Sequence, residues 1–260
     1  YNNLKNISIS NKLSILITKQ NDNIVKFSDL IFNIFENQNI NKAFVVAGDS
    51  NLHLLDSVGK KENFNLEVFD NEYLASFAAL GFSKFTHNPP ILLVSAGSSS
   101  LRVIEAVTNA YIDSDPIIII SGQTTTELIN SQKTRQIASK SVNIVKLIKS
   151  VTKYSVTVTK SSDLKYHLEK AIHLSRKPRS GPVWIDLPID LLGKTLKEKN
   201  LKSFEVSGFA NNKESKDILS YTNKIQNLLL SSKQPIILIG YGVRLSKSER
   251  EILELINHLK

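Results

Sequence analysis

The chain has no cysteine among its 260 residues. That excludes a disulfide framework and every cysteine-based zinc spacing, and it fits a reducing compartment. Methionine is also absent, even at position 1, where Tyr1 stands. Either a processed or partial product, or a sequence written without its modified methionines, is expected to look like this. No apolar run approaches the ~20 residues that a membrane helix needs, and the Asn-, Lys- and Ser-rich start has no signal-peptide layout. The expected setting is cytoplasmic, with no membrane partner. The five histidines show no metal-ligand spacing, no Ser/His/Asp order stands out, and no carboxylates pair at catalytic spacing.

What is present is ordinary for a globular chain: 41% hydrophobic and 22% charged residues, enough to bury a sizeable core. The net charge of +9 comes from lysine far more than arginine. It does not indicate nucleic-acid binding, because no dense basic stripe or aromatic platform accompanies it. Much of the excess falls between Lys133 and Lys165, through Arg135, Lys140, Lys146, Lys149, Lys153 and Lys160. A solvated lysine-rich surface is the plainer account, and an anion-facing patch the functional one.

Residues 1–23 read as a polar extension with one strand at 13–18. From Val25 short apolar runs alternate with amphipathic segments. Strands are expected at 43–47, 66–69, 91–95, 117–121 and 183–186. Helices are expected from Phe27, with Ser28 as N-cap, and at 51–58, 72–85, 101–112 and 163–175. This alternation predicts parallel βαβ units, a doubly wound, mostly parallel α/β sheet flanked by helices. The run Ile117–Ile120 lacks polar alternation and suits a central strand. The domain occupies 24–192 and a polar linker 193–216. The start of a second, incomplete α/β domain fills 217–260, with helices at 218–230 and 246–259 around a strand at 235–240.

In such a sheet ligands gather at the carboxyl ends of strands. Three of those ends carry Gly or small polar residues: Gly48-Asp49-Ser50, Gly97-Ser98-Ser99-Ser100 and Ser121-Gly122-Gln123. The second could offer backbone N–H groups to an anion, but no Gly-Lys-Ser/Thr follows to make it a P-loop. Gly240-Tyr241-Gly242 opens a dinucleotide-type turn without its third glycine. Glu72 stands apart, because it begins a helix that is otherwise apolar all round and therefore buried or at an interface. It is either a first-turn carboxylate favoured by the helix dipole or a carboxylate held in apolar surroundings to exchange a proton.

The order of these motifs resembles the N-terminal pyrimidine-binding domain of thiamine-diphosphate enzymes of the acetolactate synthase type, with a likeness to members from surface-polysaccharide gene clusters. Asn71-Glu72-Tyr73-Leu74-Ala75 stands where the family has His-Glu-Gln-Gly-Ala. Ser95–Ser100 occupies its Thr-Ser-Gly-Pro-Gly-Ala turn. Ala110-Tyr111-Ile112-Asp113-Ser114-Asp115-Pro116 with Ile120-Ser121-Gly122-Gln123, and Gly181-Pro182-Val183-Trp184-Ile185-Asp186-Leu187-Pro188, complete the series. The resemblance implies thiamine diphosphate with Mg²⁺, and a carbon–carbon lyase or transferase (carboligase) acting on a 2-keto acid or similar carbonyl. It also implies a homodimer or higher homo-oligomer. Glu72 would be catalytic, bonded to N1′ of the aminopyrimidine, while Gly48, Asp49, Gly97, Ser98, Ser99 and Gln123 would face the cofactor. The family's Gly-Asp-Gly magnesium segment is absent, so the metal ligands are expected in a domain outside these residues and this fragment is expected to be inactive alone. The chain departs from the family at Ser98 and Ser99, at Asn71 and Tyr73, and around Gln136. These departures leave open a second reading, a degenerate homologue serving as an interaction or regulatory module.

Overall fold

The structure is a computed structural model and describes residues 24–131, 137–138, 141–206 and 214–259. The N-terminal extension with its expected strand, and Lys133, Arg135, Gln136 and Lys140, lie outside the described residues. The chain divides into two compact units, one through Phe204 and one from Glu205.

In the first unit the order is β1 (Ile24–Lys26), α1 (Phe27–Asn37), β2 (Lys42–Val46), α2 (Leu52–Gly59), β3 (Asn65–Phe69), α3 (Glu72–Thr86), β4 (Ile91–Val94), α4 (Ser98–Leu101) and α5 (Ile104–Asp113). It continues with β5 (Ile118–Gln123), α6 (Thr126–Asn130), α7 (Ile144–Ile148), β6 (Tyr154–Thr157), α8 (Leu164–Arg176), β7 (Val183–Pro188), α9 (Ile189–Leu192) and β8 (Thr195–Lys197). Six strands form one parallel sheet in the order β3-β2-β4-β5-β7-β6. β1 and β8 form a separate antiparallel ribbon with Val25 opposite Leu196. The ribbon brings the residues after β7 back beside the start of α1, where the Phe27 amide donates to the Lys194 carbonyl at 2.7 Å.

Alternation along the strands divides the core in two. Ala43, Val45, Ile91, Leu93, Ile118, Ile120 and Ile185 face α1, α2 and α8. Phe44, Leu92, Val94, Ile119 and Trp184 face α3, α5 and α7. Because both faces are covered, these strands are apolar throughout.

The helices differ from the sequence reading in places. Helix α1 begins at Phe27 as expected, but its cap is Lys26, which makes no side-chain bond. Ser28 is not the cap: it is buried and accepts a hydrogen bond from Ser57 Oγ at 2.8 Å. The expected helix 101–112 is broken between α4 and α5, after a run of three serines with poor helix propensity. Helix α3 is not buried all round. Ala75, Ala79 and Leu80 are covered, while Tyr73, Leu74 and Phe85 are exposed.

The second unit contains α10 (Glu214–Ser231), α11 (Gly242–Leu245) and α12 (Glu249–His258). The strand expected at 235–240 is not formed. A strand exists through its ladder, and this stretch pairs with no described residue. Ile236 and Leu238 are each 95% exposed there. Among the described residues no helix is long and apolar enough to cross a membrane.

Candidate functional site

The strand order reverses between β2 and β4, which opens a crevice at their carboxyl ends. The turns after β2, β4 and β5 pack into one another there. Ser50 Oγ lies 2.9 Å from Ser95 Oγ and accepts from the Ala96 amide at 2.7 Å. Fully buried Asn51 holds the first turn: its Oδ1 accepts from the Gly48 amide at 3.0 Å and its Nδ2 donates to the Val46 carbonyl at 2.9 Å. Two glycines permit the close approach. A Cβ on Gly48 would stand 2.5 Å from Ser95 Cβ, and one on Gly122 would stand 2.2 Å from the Ser50 carbonyl oxygen. Gly97 adopts φ 78°, a conformation that other residues reach only with strain.

Over these turns lies a cleft of about 260 Å³ lined by Asp49, Ser50, Ser95, Ala96, Gln123, Thr124, Ala138, Ser141 and Ile189. Of the expected cofactor-facing residues, the structure thus brings Asp49 and Gln123 together. Gly48 packs against Ser95 at the cleft wall, and Gly97, Ser98 and Ser99 begin α4 outside the lining.

Glu72 is also outside the cleft lining, at the end of the adjacent strand β3. It is the first residue of α3, whose start is fixed by Asn71. Asn71 Oδ1 accepts from the Tyr73 and Leu74 amides at 2.8 and 3.4 Å. The Glu72 side chain is 11% exposed, and its carboxylate reaches Arg102 Nη1 only at 3.9 Å. No hydrogen bond to that carboxylate forms among the described residues. The residue is largely buried, but its carboxylate oxygens are not fully enclosed and stay open to an incoming group.

A second carboxylate lies beneath the cleft. Asp186 on β7 is 1% exposed. Its register partners are Ser121 on β5 and Thr157 on β6. Ser121 Oγ donates to Asp186 Oδ1 at 2.6 Å, while Thr157 Oγ1 and Gln123 Nε2 each donate to Oδ2 at 3.0 Å. Burial pushes the Asp186 carboxyl up to about 6 against the lowering effect of these three donors. Gln123 spends its other amide hydrogen on the Val142 carbonyl at 3.2 Å, and its Oε1 accepts from the Thr124 amide at 3.0 Å. Its donors therefore hold the cleft wall. Asp190 ties the next turn to α6 by accepting from the Thr126 amide at 2.9 Å and hydroxyl at 2.8 Å.

Sequence reasoning passed over Asp186 and Arg102. The signal for Asp186 was available, since a lone acid inside the apolar run Val183–Leu187 must find partners when buried. Arg102 carried none, because its partner follows another strand. Among the described residues no group of three or more His, Asp or Glu could hold a metal ion.

Residues 25–144 match the family described as "Thiamine pyrophosphate enzyme, N-terminal TPP binding domain". The mitochondrial acetolactate synthase of Schizosaccharomyces pombe is 28% identical over 217 residues, 79% of this chain and 31% of that protein. The acetolactate synthase large subunit of Buchnera aphidicola subsp. Schizaphis graminum is 28% identical over 229 residues, 88% of this chain and 39% of that protein. The chain thus spans 31% to 39% of the length of these two relatives. The thiamine diphosphate-dependent 4-hydroxybenzoylformate decarboxylase of Rhodococcus jostii RHA1 shares the fold, with a TM-score of 0.75 at 20% identity, over 90% of this chain and 43% of that one. With its parallel sheet and its glycine turns, the chain is similar to thiamine-diphosphate-dependent enzymes of the acetolactate synthase type, and its residues 25–144 match their N-terminal TPP-binding domain.

Proposed function

We propose that this chain forms the pyrimidine-binding part of an enzyme that makes or breaks a carbon–carbon bond beside the carbonyl of a 2-oxo acid or related substrate, as an acetolactate synthase-like lyase or carboligase. The observation that carries this reading is Glu72, a largely buried acid after a strand end whose carboxylate makes no hydrogen bond to the described residues and is open to a ligand. The residues fit the cofactor: an open carboxylate suits a ring nitrogen, and the cleft after β2, β4 and β5 is walled by turns too close for added side chains.

When bound, thiamine diphosphate would supply a thiazolium ring, with a carbon that can attack carbonyls and a cationic nitrogen that can take up the electron pair of the broken bond. The chain's own part is proton control and shape. Glu72 would hold a proton at N1′ of the aminopyrimidine, in a largely buried setting. Asn71 fixes the turn that aims it. Arg102, 61% exposed on its side chain, is free to withdraw as the ring nitrogen arrives. Asp49 and the wall held by Gln123 border the cleft. The diphosphate and its Mg²⁺ fall to residues outside this chain, so these 260 residues alone bind the cofactor weakly and turn over no substrate.

The working unit is a homodimer. Helix α3 exposes Tyr73, Leu74 and Phe85, and the following helices expose Leu101, Tyr111 and Ile112. A second copy would cover this apolar surface.

The test is turnover by the intact gene product with thiamine diphosphate, Mg²⁺ and a panel of 2-oxo acids. Release of CO₂ that Glu72→Gln suppresses is expected. No turnover of any 2-oxo acid contradicts the reading and favours an interaction module.

A further inference from the structure

We infer that the buried carboxylate of Asp186 is a counter-charge for the cleft above it, so that the cleft selects a cationic ring over a neutral ring of the same shape. The inference rests on the cofactor reading above and assigns a role to a residue which that reading does not use.

The geometry is specific. Gln123 lines the cleft and bonds directly to Asp186, so a single side chain separates the charge from the ligand space. Among the described residues, every group that bonds the carboxylate is neutral: Ser121 and Gln123 from β5, and Thr157 from β6. Trp184 Nε1 supports Ser121 Oγ at 2.8 Å. Helix α7 packs on this face of the sheet through Ile144 and Ile148, and keeps Lys146 and Lys149 exposed. Asp190, on the turn after β7, takes the Thr126 hydrogen bonds, with Lys194 Nζ 3.7 Å away. The described cleft lining holds Asp49 and no Lys, Arg or His.

An isolated buried charge is costly and is ordinarily neutralised by a partner or a proton. A simple clip across three strands would need no charge. Here three donors converge on the carboxylate and favour its ionised form, while burial opposes it. The balance leaves the ionised state to be settled by the next charge to arrive, and a cation in the cleft settles it. The coupling is reciprocal: a cation favours the ionised carboxylate as much as the ionised carboxylate favours the cation.

Proton uptake and release report this without relying on turnover. The intact gene product is titrated calorimetrically at pH 6 and pH 8, in buffers of different ionisation enthalpy. The two ligands are thiamine diphosphate and its neutral 3-deaza isostere, which share the diphosphate and the aminopyrimidine. A tenfold coupling predicts that at pH 6 the cation releases about 0.4 proton more than the isostere, with no difference at pH 8. Asp186→Asn should abolish the difference and shift the affinity ratio about tenfold against the cation. Should that variant fail to fold, the two-ligand comparison on the unmodified protein still decides. Equal proton release by both ligands at pH 6 overturns the assignment of Asp186 and leaves the cofactor reading standing. Binding of neither ligand overturns both.

Discussion

The Glu72 carboxylate stops 3.9 Å short of the Arg102 guanidinium, close enough for attraction and too far for a hydrogen bond. One partner is nearly buried and the other largely in solvent. An exposed arginine at that distance contributes little to folding. Arg102→Gln should therefore change unfolding stability by less than ~0.5 kcal/mol in urea titration. A loss several times larger would mean that the pair is structural.

The glycine turns give a sharper stability test. Gly122→Ala drives a Cβ into the Ser50 backbone, which cannot move aside without opening the turn. It should cost ~1–3 kcal/mol, the usual scale of overpacking. Gly48→Ala meets the Ser95 side chain instead, so Ser95→Gly should recover much of its loss. Ser95→Gly should not rescue Gly122→Ala. Denaturant midpoints of the two double variants check both statements.

Asp186 makes stability depend on pH in a particular direction. Its native carboxyl keeps a proton up to about pH 6, against a reference value of 3.8. Between those values unfolding releases a proton, so this residue's contribution falls as pH rises from about 4 to about 6. The fall is on the order of 2 kcal/mol. The difference in stability between the unmodified protein and Asp186→Asn, measured across that window, should show it. A difference independent of pH would refute the shift.

The exposed apolar patch on α3 and α5 predicts an interface. Leu74→Asp with Ile112→Asp should convert a dimer of the intact gene product to monomer at micromolar concentration in light scattering, with circular dichroism unchanged. Both side chains are more than half exposed, at 55% and 60%, so the change should leave the fold intact. A dimer that survives both substitutions is built on another surface.

The central strands were legible because burial on both faces leaves an unbroken apolar signature, as in Ile117–Ile120. Tyr154–Thr157 was missed because it is an edge strand of mixed polarity, half-buried along its length. The β1–β8 ribbon joins segments about 170 residues apart, and no local pattern announces such a pairing. Residues 235–240 have the composition of a strand but no ladder, since propensity alone does not supply a neighbour. At the site, the turns and Glu72 could be found from their place after strands. The Glu72–Arg102 approach could not, because it depends on how the segments after β3 and β4 meet across the intervening β2. Gln123 stood where expected, yet its amide hydrogens serve the wall of the cleft, an orientation set by Asp186 and Val142.

The most direct test of the account is the exchange of the cofactor's C2 proton for deuterium, followed by NMR on the intact gene product with thiamine diphosphate and Mg²⁺. If Glu72 holds the proton at the ring nitrogen, Glu72→Gln should slow exchange by ~10²-fold or more while the fold stays unchanged. An exchange rate equal to that of the unmodified protein would contradict the role of Glu72.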